Sequence, residues 1–223
     1  MKLGALFTGG KDSTYAVYLA KQEGHEIVCL ISIYSRNKES YMFHTPSITT
    51  VEVQAESMGL PIMINETEGS KELELEDLEA VIVQAKEKYH IEGVLTGAIA
   101  SVYQASRIKS ICDKHGLALL NPLWGKDQIE LLNELIDAEF KVIITGVFAY
   151  PFDESWLGRE MTDEQFIEEV KILQEKYRIN PAGEGGEFES LVLNCPLFSR
   201  ELKIIEKSIS GEGNSFSMEV VLE

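Results

Sequence analysis

Lys2-Leu3-Gly4-Ala5-Leu6-Phe7 runs directly into Thr8-Gly9-Gly10-Lys11-Asp12-Ser13, and this junction decides the fold. The first six residues are apolar without alternation, the pattern of a short strand buried on both faces. From Asp12 to about Glu23, Tyr15, Ala16, Leu19 and Ala20 share one helical face, and Gly24 stops the helix. The two glycines between strand and helix let the backbone turn tightly and pass close to a ligand. Free N–H groups and the dipole at the helix start favour an anion there. Lys11 adds a full positive charge, and Thr8 and Ser13 offer hydroxyl donors to phosphate oxygens. Asp12 is unfavourable beside bare phosphate, so it is expected to help hold Mg²⁺. Residues 8–13 are therefore expected to bind the polyphosphate of ATP.

Spacing excludes two other phosphate loops. A Walker A loop needs a glycine where Ala5 stands, and has Ser or Thr directly after its lysine, where this chain has Asp12. No G-x-G-x-x-G follows any expected strand, so a dinucleotide fold has no support.

Outward from the loop, strand and helix patterns alternate. A buried strand is expected at 27–33, a polar loop at 34–46 and a helix at about 48–58. A strand at 62–65, a long amphipathic helix at about 72–89 and a strand at 93–96 follow. A helix at about 103–114 leads to 117–120. Strands alternating with helices of this length imply an α/β fold, a doubly wound parallel sheet covered on both faces. The second half is less regular. A helix at about 127–138, a strand at 141–148, a helix at about 163–177, a glycine-rich turn at 183–187 and strands at 188–193, 203–208 and 216–222 suggest a smaller α+β domain. The expected division is 1–125 for ATP binding and 126–223 for the substrate.

With 20 basic residues against 37 acidic ones, the net charge of −17 argues against a broad nucleic-acid-binding face, which would neutralise phosphates with Lys and Arg. No apolar run reaches the roughly 18–20 residues of a membrane helix, and the N-terminus lacks a secretory pattern. A cytoplasmic location follows by default. Cys29, Cys112 and Cys195 are scattered, which argues against a disulfide framework, a zinc knuckle or a redox pair. The sequence does not set an oligomeric state, and a homo-oligomer is compatible with it.

Residues 8–13 resemble the S-G-G-x-D-S motif of PP-loop (N-type) ATP pyrophosphatases, with Thr8 keeping the hydroxyl of the first serine. That resemblance implies a doubly wound sheet and cleavage of ATP to AMP and pyrophosphate through an adenylate. Further blocks sharpen it: Tyr41-Met42-Phe43-His44-Thr45-Pro46, Gly97-Ala98-Ile99-Ala100-Ser101-Val102-Tyr103-Gln104, Pro122-Leu123-Trp124, Trp156-Leu157-Gly158-Arg159, and Asn180 through Gly183-Glu184-Gly185-Gly186-Glu187-Phe188-Glu189-Ser190. Together they resemble the diphthine–ammonia ligase family. The resemblance implies ATP-dependent amidation of diphthine on elongation factor 2 with ammonia, through an acyl-adenylate.

The expected site follows from both lines. Lys11, Asp12 and Ser13 are the expected catalytic residues of the loop, with Asp12 on the metal. Thr8, Gly9, Gly10, Lys11 and Ser13 are expected to bind ATP. Gly97 and Ala98 lie past a strand end, where ligands bind in doubly wound folds, and their small size would admit the adenosine. Glu184, Glu187 and Glu189 around Gly185 and Gly186 repel one another unless a cation is near; Glu187 is expected to position ammonium or accept its proton. His44 is a candidate for phosphate contact or proton transfer. Tyr103, Gln104 and Trp124 are expected to contact substrate. Tyr41, Phe43, Tyr103, Trp124 and Phe188 could cage a trimethylammonium group by cation–π attraction. Two alternatives remain: a PP-loop ligase or salvage enzyme for another small carboxylate, which would share the ATP-site residues, and a non-catalytic nucleotide sensor.

Overall fold

The computed structural model describes residues 1–35, 48–67 and 71–223, and it divides into two compact units, Met1–Trp124 and Gly125–Glu223. His44, Tyr41, Phe43 and the rest of the block at 41–46 lie outside the described residues.

In the first unit β1 (Lys2–Leu6), β2 (Glu26–Ser35), β3 (Ile62–Thr67), β4 (Gly93–Leu95) and β5 (Ala118–Leu120) form one parallel sheet of order β3-β2-β1-β4-β5. The expected doubly wound parallel sheet is what the chain forms. Between the strands run α1 (Lys11–Gln22), α2 (Ile48–Met58), α3 (Lys71–Tyr89) and α4 (Val102–Lys114). Leu78, Val81, Ile82 and Ala85 recur at helical spacing on α3 and bury against Cys29, Ile31 and Ile33 of β2, together with Ile108, Ile111 and Cys112 of α4. The acidic stretch at the start of α3 therefore belongs to a helix whose inner face is apolar from Leu78 onward, with Glu74 buried one turn before it. Strand β2 is longer than its expected 27–33 span, because Tyr34 and Ser35 continue the ladder opposite Glu66 and Thr67. Side chains alone assign these two residues to a loop; backbone pairing overrides them.

The second unit contains α5 (Gln128–Asp137), β6 (Lys141–Val147), α6 (Glu164–Tyr177), β7 (Phe188–Asn194), β8 (Ile204–Glu212) and β9 (Ser215–Leu222). Its sheet is antiparallel, of order β7-β6-β9-β8. Strands β8 and β9 are one long hairpin that reaches beyond the expected 203–208, since Ile209 to Glu212 are mostly polar or glycine yet stay paired. Four aromatic rings build the core: Phe152 meets Trp156 at 4.8 Å and Phe188 at 5.4 Å, and Phe166 lies edge-on to Trp156 at 6.1 Å and Phe188 at 6.3 Å. Such edge-to-face pairs add about 0.5–1.5 kcal/mol each beyond area burial. Arg159 stacks on the Trp156 ring at 4.0 Å and pairs with Glu169 at 2.5 Å. The block Trp156–Arg159 thus serves the core of this unit.

Candidate active site

Strand order reverses at β1, so the crevice outside the carboxyl ends of β1 and β4 is the topological switch point where such sheets bind ligands. Residues 8–13 leave the end of β1, and Gly97 to Ser101 leave the end of β4. The two segments touch. A Cβ on Gly97 would stand 2.6 Å from the Asp12 carbonyl carbon and 2.7 Å from the Ser13 nitrogen. The missing side chain of Gly97 lets the β4 turn pack on the first turn of α1. Ala98 follows with its N–H donated to Thr96 Oγ1 at 3.2 Å, and Thr96 in turn bonds Asn121 Oδ1 at 2.5 Å. Buried Thr96 and half-buried Asn121 therefore tie the ends of β4 and β5 together, a role with no sequence signature beyond their place after apolar strands.

Within the loop, Gly10 caps α1 without any side-chain cap bond, and the first bond of the helix is from Thr14 N–H to the Gly10 carbonyl at 3.1 Å. The amides of the first turn therefore precede the helix's own ladder, as anion binding requires. Ser13 Oγ lies 3.1 Å from Thr8 Oγ1, accepts the Thr8 N–H at 3.2 Å and donates to the Gly10 carbonyl at 3.2 Å. Both hydroxyls brace the loop in this state. Lys11 is buried, 4% exposed, with its Nζ 2.7 Å from Asp12 Oδ2. Asp12 Oδ1 is buried with no hydrogen-bond partner, and a buried carboxylate oxygen left this way is costly unless a cation or donor meets it. That atom fits the role of a Mg²⁺ ligand. Among the described residues no group of three or more His, Cys, Asp or Glu side chains could hold a metal. A magnesium ion at Asp12 would therefore draw its remaining ligands from phosphate and water, the usual habit of that ion.

Glu187 has a structural task in its loop. It is 8% exposed and both oxygens are engaged. Oε1 accepts the Asn180 N–H and the Asn180 Nδ2–H, each at 2.8 Å, and Oε2 accepts the Gly185 N–H at 2.8 Å. These three bonds make Glu187 the residue that closes the glycine-rich loop, while Oε2, with a single donor, keeps acceptor capacity. Gln128, at the start of α5, completes the clasp: its Nε2 donates to Asn180 Oδ1 at 3.1 Å and its Oε1 accepts the Ala182 N–H at 2.9 Å. Nothing in the local sequence marks Gln128, because its partners lie more than 50 residues away. Gly185 and Gly186 are exposed at the turn, and Glu184 and Glu189 are partly exposed beside it.

Of the rings expected to cage a trimethylammonium group, Tyr103, Trp124 and Phe188 are among the described residues. Phe188 is part of the core of the second unit, and the Tyr103 ring already carries the Arg107 guanidinium 3.3 Å from its centroid. A second cation there would be repelled. Trp124 is 46% exposed and borders a cleft of about 310 Å³ with Ala105, Ser106, Leu119, Asn121 and Lys109. Lys109 at that cleft is ion-paired with Asp113 at 2.5 Å. Gln104 sits in the first turn of α4, its N–H donated weakly to the capping Ser101 Oγ at 3.4 Å.

The cysteines bear on the chemistry too. Cys29, Cys112 and Cys195 are all buried, and burial pushes their thiols up to about 12, 11 and 12. Only the thiolate is nucleophilic, so these residues are inert in the folded protein, which disfavours persulfide or thiolation chemistry. A raised value means less thiolate at any working pH. The folded protein should therefore leave dithiodipyridine unreacted at about pH 8, while all three thiols react once denaturant restores values near ~8.5. Rapid reaction of even one thiol in the native protein would contradict this.

A parallel sheet with a Gly-Gly-Lys-Asp-Ser loop at its switch point defines an α/β protein of the PP-loop ATP-handling class. The model of the diphthamide synthase N-terminal domain matches residues 1–119, and that of the C-terminal domain matches residues 127–218. Among curated proteins, the chain is 35% identical over 227 residues to the mouse protein named diphthine–ammonia ligase, covering 92% of this chain and 83% of the relative. The human protein of that name is 33% identical, with 93% and 84% covered. The fission yeast one is 31% identical, with 94% of this chain but only 37% of that longer relative covered. The chain belongs to the diphthamide synthase family, whose curated members are named as ligases that join ammonia to diphthine.

Proposed function

We infer that this chain uses ATP to activate the carboxylate of diphthine on elongation factor 2 and converts it to the amide with ammonia. The carrying observation is the Lys11–Asp12 pair at the switch point, in a chain whose two halves both match one family. The first-turn amides of α1, with Lys11, would hold the β- and γ-phosphates and withdraw charge from the α-phosphorus. The substrate carboxylate attacks that phosphorus, the bond to the β-phosphate breaks, and pyrophosphate leaves on the loop. Ammonia then attacks the acyl carbon, AMP departs with the electron pair, and a base takes the surplus proton. Mg²⁺, held at Asp12, would neutralise phosphate charge when bound. Glu184 and Glu189, partly exposed beside the glycine-rich turn, are the carboxylates proposed to attract ammonium.

The negative charge of the chain supports a protein acceptor over a nucleic acid, and the absence among the described residues of any helix long and apolar enough to cross a membrane accords with a cytoplasmic setting. Incubation with ATP, Mg²⁺, ammonium and elongation factor 2 bearing diphthine should release AMP and pyrophosphate and change the protein mass by the conversion of a carboxylate to an amide. ADP as product would refute the adenylate. Turnover with small free acids but not with the modified protein would instead identify a ligase for another carboxylate. ATP binding with no pyrophosphate release in the full mixture would identify a sensor.

A further inference from the structure

Beside the apolar Val51 and Ala55, helix α2 buries a polar stripe against the parallel sheet. Thr50, Gln54 and Ser57, spaced to share one face, are 3%, 0% and 4% exposed. A fully buried amide side chain is costly unless it is hydrogen-bonded, so its partner shows what it is for. Gln54 donates Nε2–H to the carbonyl oxygen of Gly9 at 3.0 Å, across 45 residues of sequence.

That bond fixes the loop in one orientation. Gly9 adopts φ +77°, and a Cβ there would stand 2.2 Å from Gln54 Oε1, so only glycine lets the amide approach. In a trans peptide the C=O and the following N–H point in opposite directions. Holding the Gly9 carbonyl toward α2 therefore turns the Gly10 N–H away from α2. Gly10 is also the cap residue whose carbonyl receives Thr14 N–H, Thr14 Oγ1–H and Ser13 Oγ–H. The Gly9–Gly10 peptide plane thus sets the first outward amide, and the next plane, which carries the Gly10 carbonyl, starts α1.

We propose that Gln54 is a positioning residue for ATP: by anchoring the Gly9 carbonyl it presents the Gly10 N–H, and with it the first turn of α1, to the triphosphate. It touches neither phosphate nor the reacting atoms. This rests on the reading of residues 8–13 as the ATP loop, and Ser13→Ala tests that reading separately.

The test is calorimetric binding of Mg²⁺ and the α,β-methylene analogue of ATP, which is not cleaved at the reacting bond. Gln54→Met keeps the length and volume and removes the donor. It should weaken binding by roughly tenfold, as expected for a buried carbonyl losing its donor, and in turnover raise the KM for ATP while leaving that for ammonium unchanged. Gln54→Glu guards against a packing explanation or a failure of the methionine variant to fold. A protonated carboxyl can donate to the Gly9 carbonyl and a carboxylate cannot, so this variant should regain affinity as pH falls, relative to wild type. Wild-type affinity in Gln54→Met, or no such relative recovery in Gln54→Glu, overturns the proposal. Should Ser13→Ala and Gln54→Met both bind as wild type, the ATP-loop reading itself fails; loss in Ser13→Ala alone rejects only Gln54.

Discussion

Gly97→Ala is expected to slow ATP-dependent pyrophosphate release at least about a hundredfold, the scale on which a misplacement of about 1 Å acts on a catalytic group. The added methyl would meet the Asp12 carbonyl carbon at 2.6 Å, the Ser13 nitrogen at 2.7 Å and the Asp12 oxygen at 2.8 Å. All three are backbone atoms, which cannot swing aside as the end of a side chain can. Either the turn after β4 lifts away from α1 or the first turn of α1 moves, and the second course displaces Lys11, Asp12 and Ser13 together. Overpacking of this kind costs about 1–3 kcal/mol, so a measurable fall in urea stability should accompany the kinetic loss. Pyrophosphate release and urea unfolding measured on the same preparation check both parts. Near-wild-type turnover would mean that the close contact does not position the loop.

Glu187→Ala should destabilise the protein by about 3 kcal/mol, since it strips the acceptor from three N–H donors in a largely buried setting. The loop 180–187 would lose the bonds that close it. Glu187→Gln is the more telling change. Its amide oxygen can still accept from Asn180, but its NH₂ group then faces the Gly185 N–H, donor against donor, so roughly half the loss, ~1–2 kcal/mol, should remain. A carboxylate that handled ammonium would behave otherwise: Gln would fold as stably as wild type and fail in kcat and in KM for ammonium. Denaturant unfolding beside ammonium titrations separates the two. Wild-type stability in Glu187→Gln would return Glu187 to the chemistry.

These two residues show how much of the site is legible in sequence. Gly97 and Glu187 both stand out in their motifs, and each makes a backbone contact that its chemical type does not suggest. A glycine after a strand invites a ligand, and a glutamate between glycines invites a cation. In each case a backbone segment arrived first: the start of α1 at Gly97, the Asn180 and Gly185 amides at Glu187. Phe188 and Tyr103 teach the same lesson for aromatic rings, one claimed by the core and one by Arg107. Gln54 and Gln128 are the converse. Each is an uncharged amide in a helix, and each proves to hold a glycine-rich loop from far along the chain. The only hint available was the polar face at 50, 54 and 57, where helix periodicity calls for apolar residues.

By itself the sequence determined the alternation of strands and helices, the parallel sheet, the glycine-rich turn at the end of β1 and the family. Those features depend on local patterns: apolar runs, helical periodicity, and glycines followed by Lys-Asp-Ser. Tertiary structure alone decided the strand order that sets β4 beside β1, and with it the contact of Gly97 with the loop. It alone decided which polar side chains are already spent. The physical reason is common to both: hydrogen bonds and close contacts between residues 45 to 85 positions apart leave no periodic trace. Their partners are fixed only when the sheet brings separate strand ends together.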